Sequence, residues 1–185
     1  MQKLPLFKIA STGLMALVIG FSTVSAHAVS SKRSAVSSQH HDVHKTPSSS
    51  VVKMAVKSGV SLDDAAESMR LRANSLNMKL VAELPLSSQV EAITGKPQRR
   101  TTIFQFCDAL TARDLIELDI DFAIYMPCRI ALIEDTKGQA WLIMMDIDVD
   151  ALAQEKRVPP ALKKRIQEVR ATLINIMEAG AKGDL

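Results

Sequence analysis

The chain reads as an α+β domain: a mixed or antiparallel sheet of about five strands, helices on one face, and a further helix at the C-terminal end. Three observations predict it. Apolar and polar residues alternate in several short runs, as where Phe104 and Phe106 flank Gln105; that is the period of a half-buried strand. Leu62, Ala66, Met69, Ala73 and Leu76 recur at spacings of 4, 3, 4 and 3, which places them on one helical face. Residues 129–133 and 140–145 are apolar on both sides and flank a short Thr136-Lys137-Gly138 connection. A hairpin of that kind needs cover on both faces.

The elements follow in order. Residues 1–28 have the layout of a secretory signal. Lys3 and Lys8 make a basic start, an apolar run reaches Phe21, and Ser25-Ala26-His27-Ala28 offers small residues where a signal peptidase reads. The run is shorter than the roughly 20 apolar residues a spanning helix needs, and no Cys follows it to take a lipid. Cleavage after Ala28 leaves an exported chain, periplasmic or secreted, with no membrane span. Residues 29–50 read as a disordered linker. Eight of the 22 are Ser, and such a segment buries too little surface to offset its ordering entropy. His40, His41 and His44 stand there beside Asp42. They form at most a weak metal-binding tract, since a metal site needs fixed ligands.

The whole chain carries +3, but the signal and the linker contribute +2 each, leaving −1 over residues 51–185. With no basic excess in the domain, nucleic acid is not an expected partner.

The domain proper is expected over residues 51–153. Val52, Met54 and Val56 alternate with Lys53 and Lys57 in a first strand, and Gly59 turns the chain. Ser61 with Asp64 three residues on makes a capping box for the first helix. Met78, Leu80, Ala82 and Leu84 alternate in a second strand that Pro85 ends. Residues 87–94 suit a short helix closed by Gly95. Residues 101–107 form a third strand; Thr111 and Asp114 then open a helix with Leu115, Ile116, Leu118 and Ile120 as its apolar side. Pro127 fixes the start of a fourth strand, residues 128–135, and the fifth covers 139–147. A final helix is expected within residues 154–185. It starts at Pro159-Pro160, carries Leu162, Ile166, Val169, Leu173 and Ile176 on one stripe, and ends at Gly180. The second face of the hairpin must be covered by the C-terminal tail or by a second copy, which makes a homodimer the expected state.

Three motifs lie in the middle of the chain. Cys107 follows a central strand, Met126-Pro127-Cys128 leads into the hairpin, and Met145-Asp146 follows it. In order and spacing they resemble the domain of unknown function 302 (DUF 302) family, over about residues 51–149. Asp108-Ala109 and Ile147 depart from the family pattern, which has Asn or Ser and then Pro after the first Cys, and Pro after the last Asp. The resemblance implies a TATA-binding-protein-like α+β fold, often dimeric, and no established activity.

No catalytic residues stand out. Every histidine lies in the signal or the linker, so the folded part lacks the commonest general base. Asp146, Asp148 and Asp150 alternate like calcium ligands, but the loop lacks the glycine and the final acid such a site uses. The remaining candidates are Cys107, Cys128 and Asp146. Three readings of the cysteines stand open: a structural disulfide, usual in exported proteins; a redox or ligand-binding thiol pair; or two small core residues. The resemblance leans toward the second, because relatives that look cytoplasmic carry Cys at both positions. In that reading Cys107 is the more reactive thiol, placed before a helix N-terminus. The expected function is non-enzymatic binding of a small ligand or a partner. The alternative is a thiol-based redox or sulfur-handling accessory protein using Cys107 and Cys128. No cofactor is indicated.

The targeting layout makes a direct prediction: N-terminal sequencing of mature protein should begin at Val29. Soluble extracytoplasmic protein that still carries Met1 would overturn it.

Overall fold

The computed structural model describes residues 50–184. The expected signal, the linker up to residue 49, the cleavage site and His40, His41 and His44 lie outside the described residues. Strand β1, Ser50–Ala55, begins at the last residue assigned to the linker.

Five strands form one sheet: β1, β2 (Lys79–Pro85), β3 (Thr101–Cys107), β4 (Cys128–Glu134) and β5 (Ala140–Asp146). Their spatial order is β1-β5-β4-β3-β2. Every neighbouring pair is antiparallel, which decides between the mixed and antiparallel alternatives. The alternation in β3 does what its pattern requires. Phe104 and Phe106 are fully buried, while Ile103 and Gln105 lie on the opposite face. Ile130 and Leu132 of β4 and Leu142 of β5 share the buried face. Each such side chain contributes about 1.5–3 kcal/mol through burial.

Two helices cover that face. Helix α1 (Leu62–Ser75) starts at the expected capping box: Ser61 Oγ accepts the Asp64 N–H at 3.0 Å, and the Asp64 carboxylate accepts from Ser61 N. Helix α5 (Pro160–Lys182) lies beside α1, and Ala65, Ala66, Met69 and Ala73 join Leu173, Ile176 and Met177 in one core with the sheet. The Leu162–Ile176 stripe therefore packs on its own domain. Its first half, Leu162 and Ile166, meets a second cluster built on Leu115, Phe122, Leu152 and Val158.

Several expected details are corrected. Helix α5 does not stop at Gly180; it runs to Lys182 and is capped by Gly183, whose φ of 69° suits the left-handed cap. Gly180 is an interior contact residue. Helix α3 (Ala109–Leu118) begins earlier than expected, because Asp108 is its N-cap and accepts the Thr111 N–H at 2.8 Å. Of its expected apolar side only Leu115 is buried; Ile116, Leu118 and Ile120 face solvent. Leu76, the C-cap of α1, is likewise exposed. Residues 120–125 form a 3₁₀ helix, Ile120–Tyr125, that buries Phe122. The Asp148 side chain caps a short helix not anticipated from the sequence, α4 (Val149–Glu155). Helix α2 (Leu86–Thr94) ends at Gly95 as expected.

The opposite sheet face carries Val51, Ile103, Trp141, Ile143 and Met145. Because α5 lies with α1, the C-terminal helix does not supply the expected cover there. Trp141 is partly shielded: Lys53 Nζ lies 3.8 Å from its ring centroid, and its indole N–H donates to Asp135 Oδ2 at 2.9 Å.

Gly180 gives a test of the helix pairing. A Cβ built there meets Met69 Cγ at 2.6 Å, and the Ala65 carbonyl oxygen and Leu142 Cδ1 at 3.1 Å. Gly→Ala inside an unencumbered helix gains up to about 1 kcal/mol. Here G180A should instead cost about 1–3 kcal/mol in urea unfolding. A variant as stable as the parent or more so would show that the two helices do not approach this closely.

Candidate functional site

The three motif positions converge at one end of the sheet. Strands β3 and β4 are antiparallel neighbours, and Phe106 pairs with Cys128. Cys107, the next residue, therefore ends its strand beside the start of β4. Asp146 ends β5 on the other side.

At this end the sheet forks. The β4–β5 ladder runs only from Glu134↔Ala140 to Ile130↔Met144. Beyond it, Arg129 and Cys128 stay with β3, whereas Met145 and Asp146 stay with β1. The two central strands part, and the gap opens into a cavity of about 330 Å³. Ile103, Ala131 and Ile143 line it from the open sheet face, while Ile166, Val169 and Leu173 of α5 line it from the helix side. Its wall is largely aliphatic. The charged residues on it are Arg129, Asp146 and Arg170. Asp146 at the end of β5 and Arg170 of α5 form a bidentate pair beside the gap, with Nε to Oδ1 at 2.6 Å and Nη2 to Oδ2 at 2.8 Å. This fork geometry is the accurate two-point kind that favours Arg over Lys.

A smaller cavity of about 80 Å³ lies next to it, with Cys107 and Cys128 both in its wall. Cys128, Tyr125, Ile147, Ile166 and Val169 line both cavities. The floor of the smaller one is the second apolar cluster, and ion pairs clasp its edges. Lys156 Nζ, at the end of α4, donates to Asp119 Oδ2 at 2.9 Å and to Asp121 Oδ2 at 2.6 Å in the 3₁₀ turn. The Lys156 ammonium holds the Asp119 carboxyl below its ordinary range, helped by the Asp121 N–H. Arg165 of α5 donates from Nε to Thr111 Oγ1 at 3.1 Å and also pairs with Asp114, which fastens α3 to α5.

Both cysteines are free thiols. Neither is activated. Burial raises the Cys107 pKa, and the Asp108 carboxylate raises it further. The expected lowering by the α3 N-terminus is thus corrected: the residue that caps the helix is itself an anion next to Cys107. Burial is also the main cause that pushes Cys128 up to about 11, with Cys107 adding to it and Arg129 opposing. Of the site residues, the motifs in the sequence pointed to Cys107, Cys128 and Asp146. Arg129 and Arg170 were missed as site residues. Arg170 stands 24 positions beyond Asp146, and its place on α5 carries no local signature. Among the described residues, no group of three or more His, Cys, Asp or Glu could hold a metal ion.

Two partly buried, neutral thiols contribute to the pH behaviour. Both folded-state pKa values are raised, so the folded form holds these protons longer than the unfolded chain. The stabilising effect is complete below the unfolded thiol value of about 8.5; the Cys128 part is lost as pH rises toward 11, and the Cys107 part as pH rises through its own raised value. Alkylation of native protein at pH 8 should be slower than that of free cysteine at both thiols, and slower at Cys128 than at Cys107. A Cys107 rate above that of free cysteine would contradict this ordering.

The domain was compared with known proteins. A family model described as "Domain of unknown function DUF302" matches residues 54–180. That span runs past the motif region and through most of α5, so the C-terminal helix is part of the family's domain. A crystal structure of an uncharacterized conserved protein DUF302 from Bacillus stearothermophilus is similar, with a TM-score of 0.55 and 12% identity. The match covers 70% of this chain and 96% of that one; at this identity it speaks to the fold alone. Among curated proteins none matches significantly. Among the described residues no helix is long and apolar enough to cross a membrane. With the α+β fold, the three motifs at one sheet end and the match over residues 54–180 in agreement, the chain belongs to the DUF302 family.

Proposed function

We propose that this domain binds a small, largely apolar ligand in the cleft where β4 and β5 part. The observation that carries the reading is the cavity of about 330 Å³ opened by the fork. Its size sits at the lower end of the range for small-molecule sites, and an aliphatic wall with a few placed polar groups is the usual composition of such sites. The wall offers no activated nucleophile: Cys128, the thiol that lines it, has its pKa pushed up to about 11. Binding without chemistry is what such a wall supports.

A second reading, thiol-based redox or sulfur handling by Cys107 and Cys128, has one observation in its favour: both thiols line a single cavity. Their raised pKa values count against it, since the thiolate is the reactive form.

Ala131 provides the test. It lines the cleft from the open sheet face, opposite Ile103 and Ile143, so A131W fills the space without entering the helix-covered core. Titration with the neutral fluorophore N-phenyl-1-naphthylamine should show binding to the parent protein. Binding to A131W should be weaker by about tenfold or more, equivalent to about 1.4 kcal/mol. C107S, which changes the thiol outside the cleft wall, should bind as the parent does. Equal binding by A131W would reject the cleft, and loss of binding in C107S would favour the thiol reading.

A further inference from the structure

The cleft has a charge imbalance, and it defines the class of ligand. Among the described residues three charged side chains reach the wall: Arg129, Asp146 and Arg170. Asp146 takes both of its hydrogen bonds in this pair from Arg170, so those two charges oppose each other at close range. Arg129 is different. It lies on β4 just past the last β4–β5 pair, and its neighbour across β3 is the uncharged Gln105. It is exposed, and among the described residues its side chain has no ion-pair or hydrogen-bond partner. One cation thus remains without a counter-charge at the edge of an aliphatic cavity.

We infer that the ligand is an amphiphile with one anionic group, its apolar body in the cleft and its carboxylate, sulfonate or similar head on the Arg129 guanidinium. The inference rests on the cleft being a binding site. A guanidinium accepts such a head in a bidentate, charge-assisted contact. A cationic amphiphile meets net positive charge at the same edge. A neutral one gains only the apolar contact. Arg170 is already committed to Asp146, so Arg129 is the head-group residue and the Asp146–Arg170 pair is part of the wall.

Two fluorophores with the same anilinonaphthalene body test the charge separately from the cavity. N-phenyl-1-naphthylamine is neutral, and 1-anilinonaphthalene-8-sulfonate adds one sulfonate. The parent protein should bind the sulfonate form more tightly by about tenfold, the scale of one charge-assisted contact at a partly exposed site. R129Q should remove that preference, weakening the sulfonate probe far more than the neutral one, and R129K should keep part of it. A131W should weaken both, which locates both in the cleft. Decanoate should displace the sulfonate probe more effectively than decanol or decyltrimethylammonium. If the neutral probe binds and the sulfonate is no tighter, or if R129Q leaves the preference intact, the charge inference is overturned and the cleft stands. If neither probe binds, both are overturned.

Discussion

The close approach of α5 to α1 over the sheet is the constraint on which the rest depends. Gly180 lets it happen. With no Cβ at that position, α5 settles against Met69 and the Ala65 carbonyl, and its apolar stripe reaches Leu142 on the central strand β5. A helix of 23 residues laid down in this way does two jobs along its length. Its C-terminal half, with Leu173, Ile176 and Met177, completes the main core. Its N-terminal half, with Ile166, Val169 and Arg170, extends past that core and becomes the wall of the cleft. Core packing and the geometry of the site are therefore set by one element, and a shift of α5 moves both.

The fork is the second determinant. At this end of the sheet β4 keeps β3 and β5 keeps β1. The backbone then separates where two central strands ordinarily meet. What borders the gap on the β5 side is a side-chain pair from strand to helix, Asp146 with Arg170, rather than a ladder. A guanidinium–carboxylate fork holds distance and orientation together, so the gap is bounded without being closed.

Much of the fold was legible in the sequence, and the misreadings share one physical origin. Phe104 and Phe106 declared their face because a strand has only two faces. Ser61 and Asp64 declared a helix start because a capping box is local. Gly180 was ambiguous. A glycine near the end of an apolar stripe serves equally as a stop or as a point of contact, and only the partner helix decides. Asp108 was overlooked as a cap because Thr111 and Asp114 offered the same chemistry three and six residues later. The partly legible site follows the same rule. Cys107, Cys128 and Asp146 stood out in motifs, but the gap between β4 and β5 depends on which strand each prefers as neighbour. No periodicity records that choice.

The register of β1 gives the molecule a direction. Ser50 pairs with Asp146, so the polypeptide enters the sheet at the mouth of the cleft. It leaves at the far end, where Lys57 N–H donates to the Ala181 carbonyl at 2.8 Å and Gly183 lies against Val60. The two ends of the domain are thus not equivalent as points of attachment. A surface, label or fused protein joined directly ahead of Ser50 is tethered beside Asp146 and the cleft it lines. One joined after Asp184 is attached at the opposite end of β1, by Val60 and Lys57.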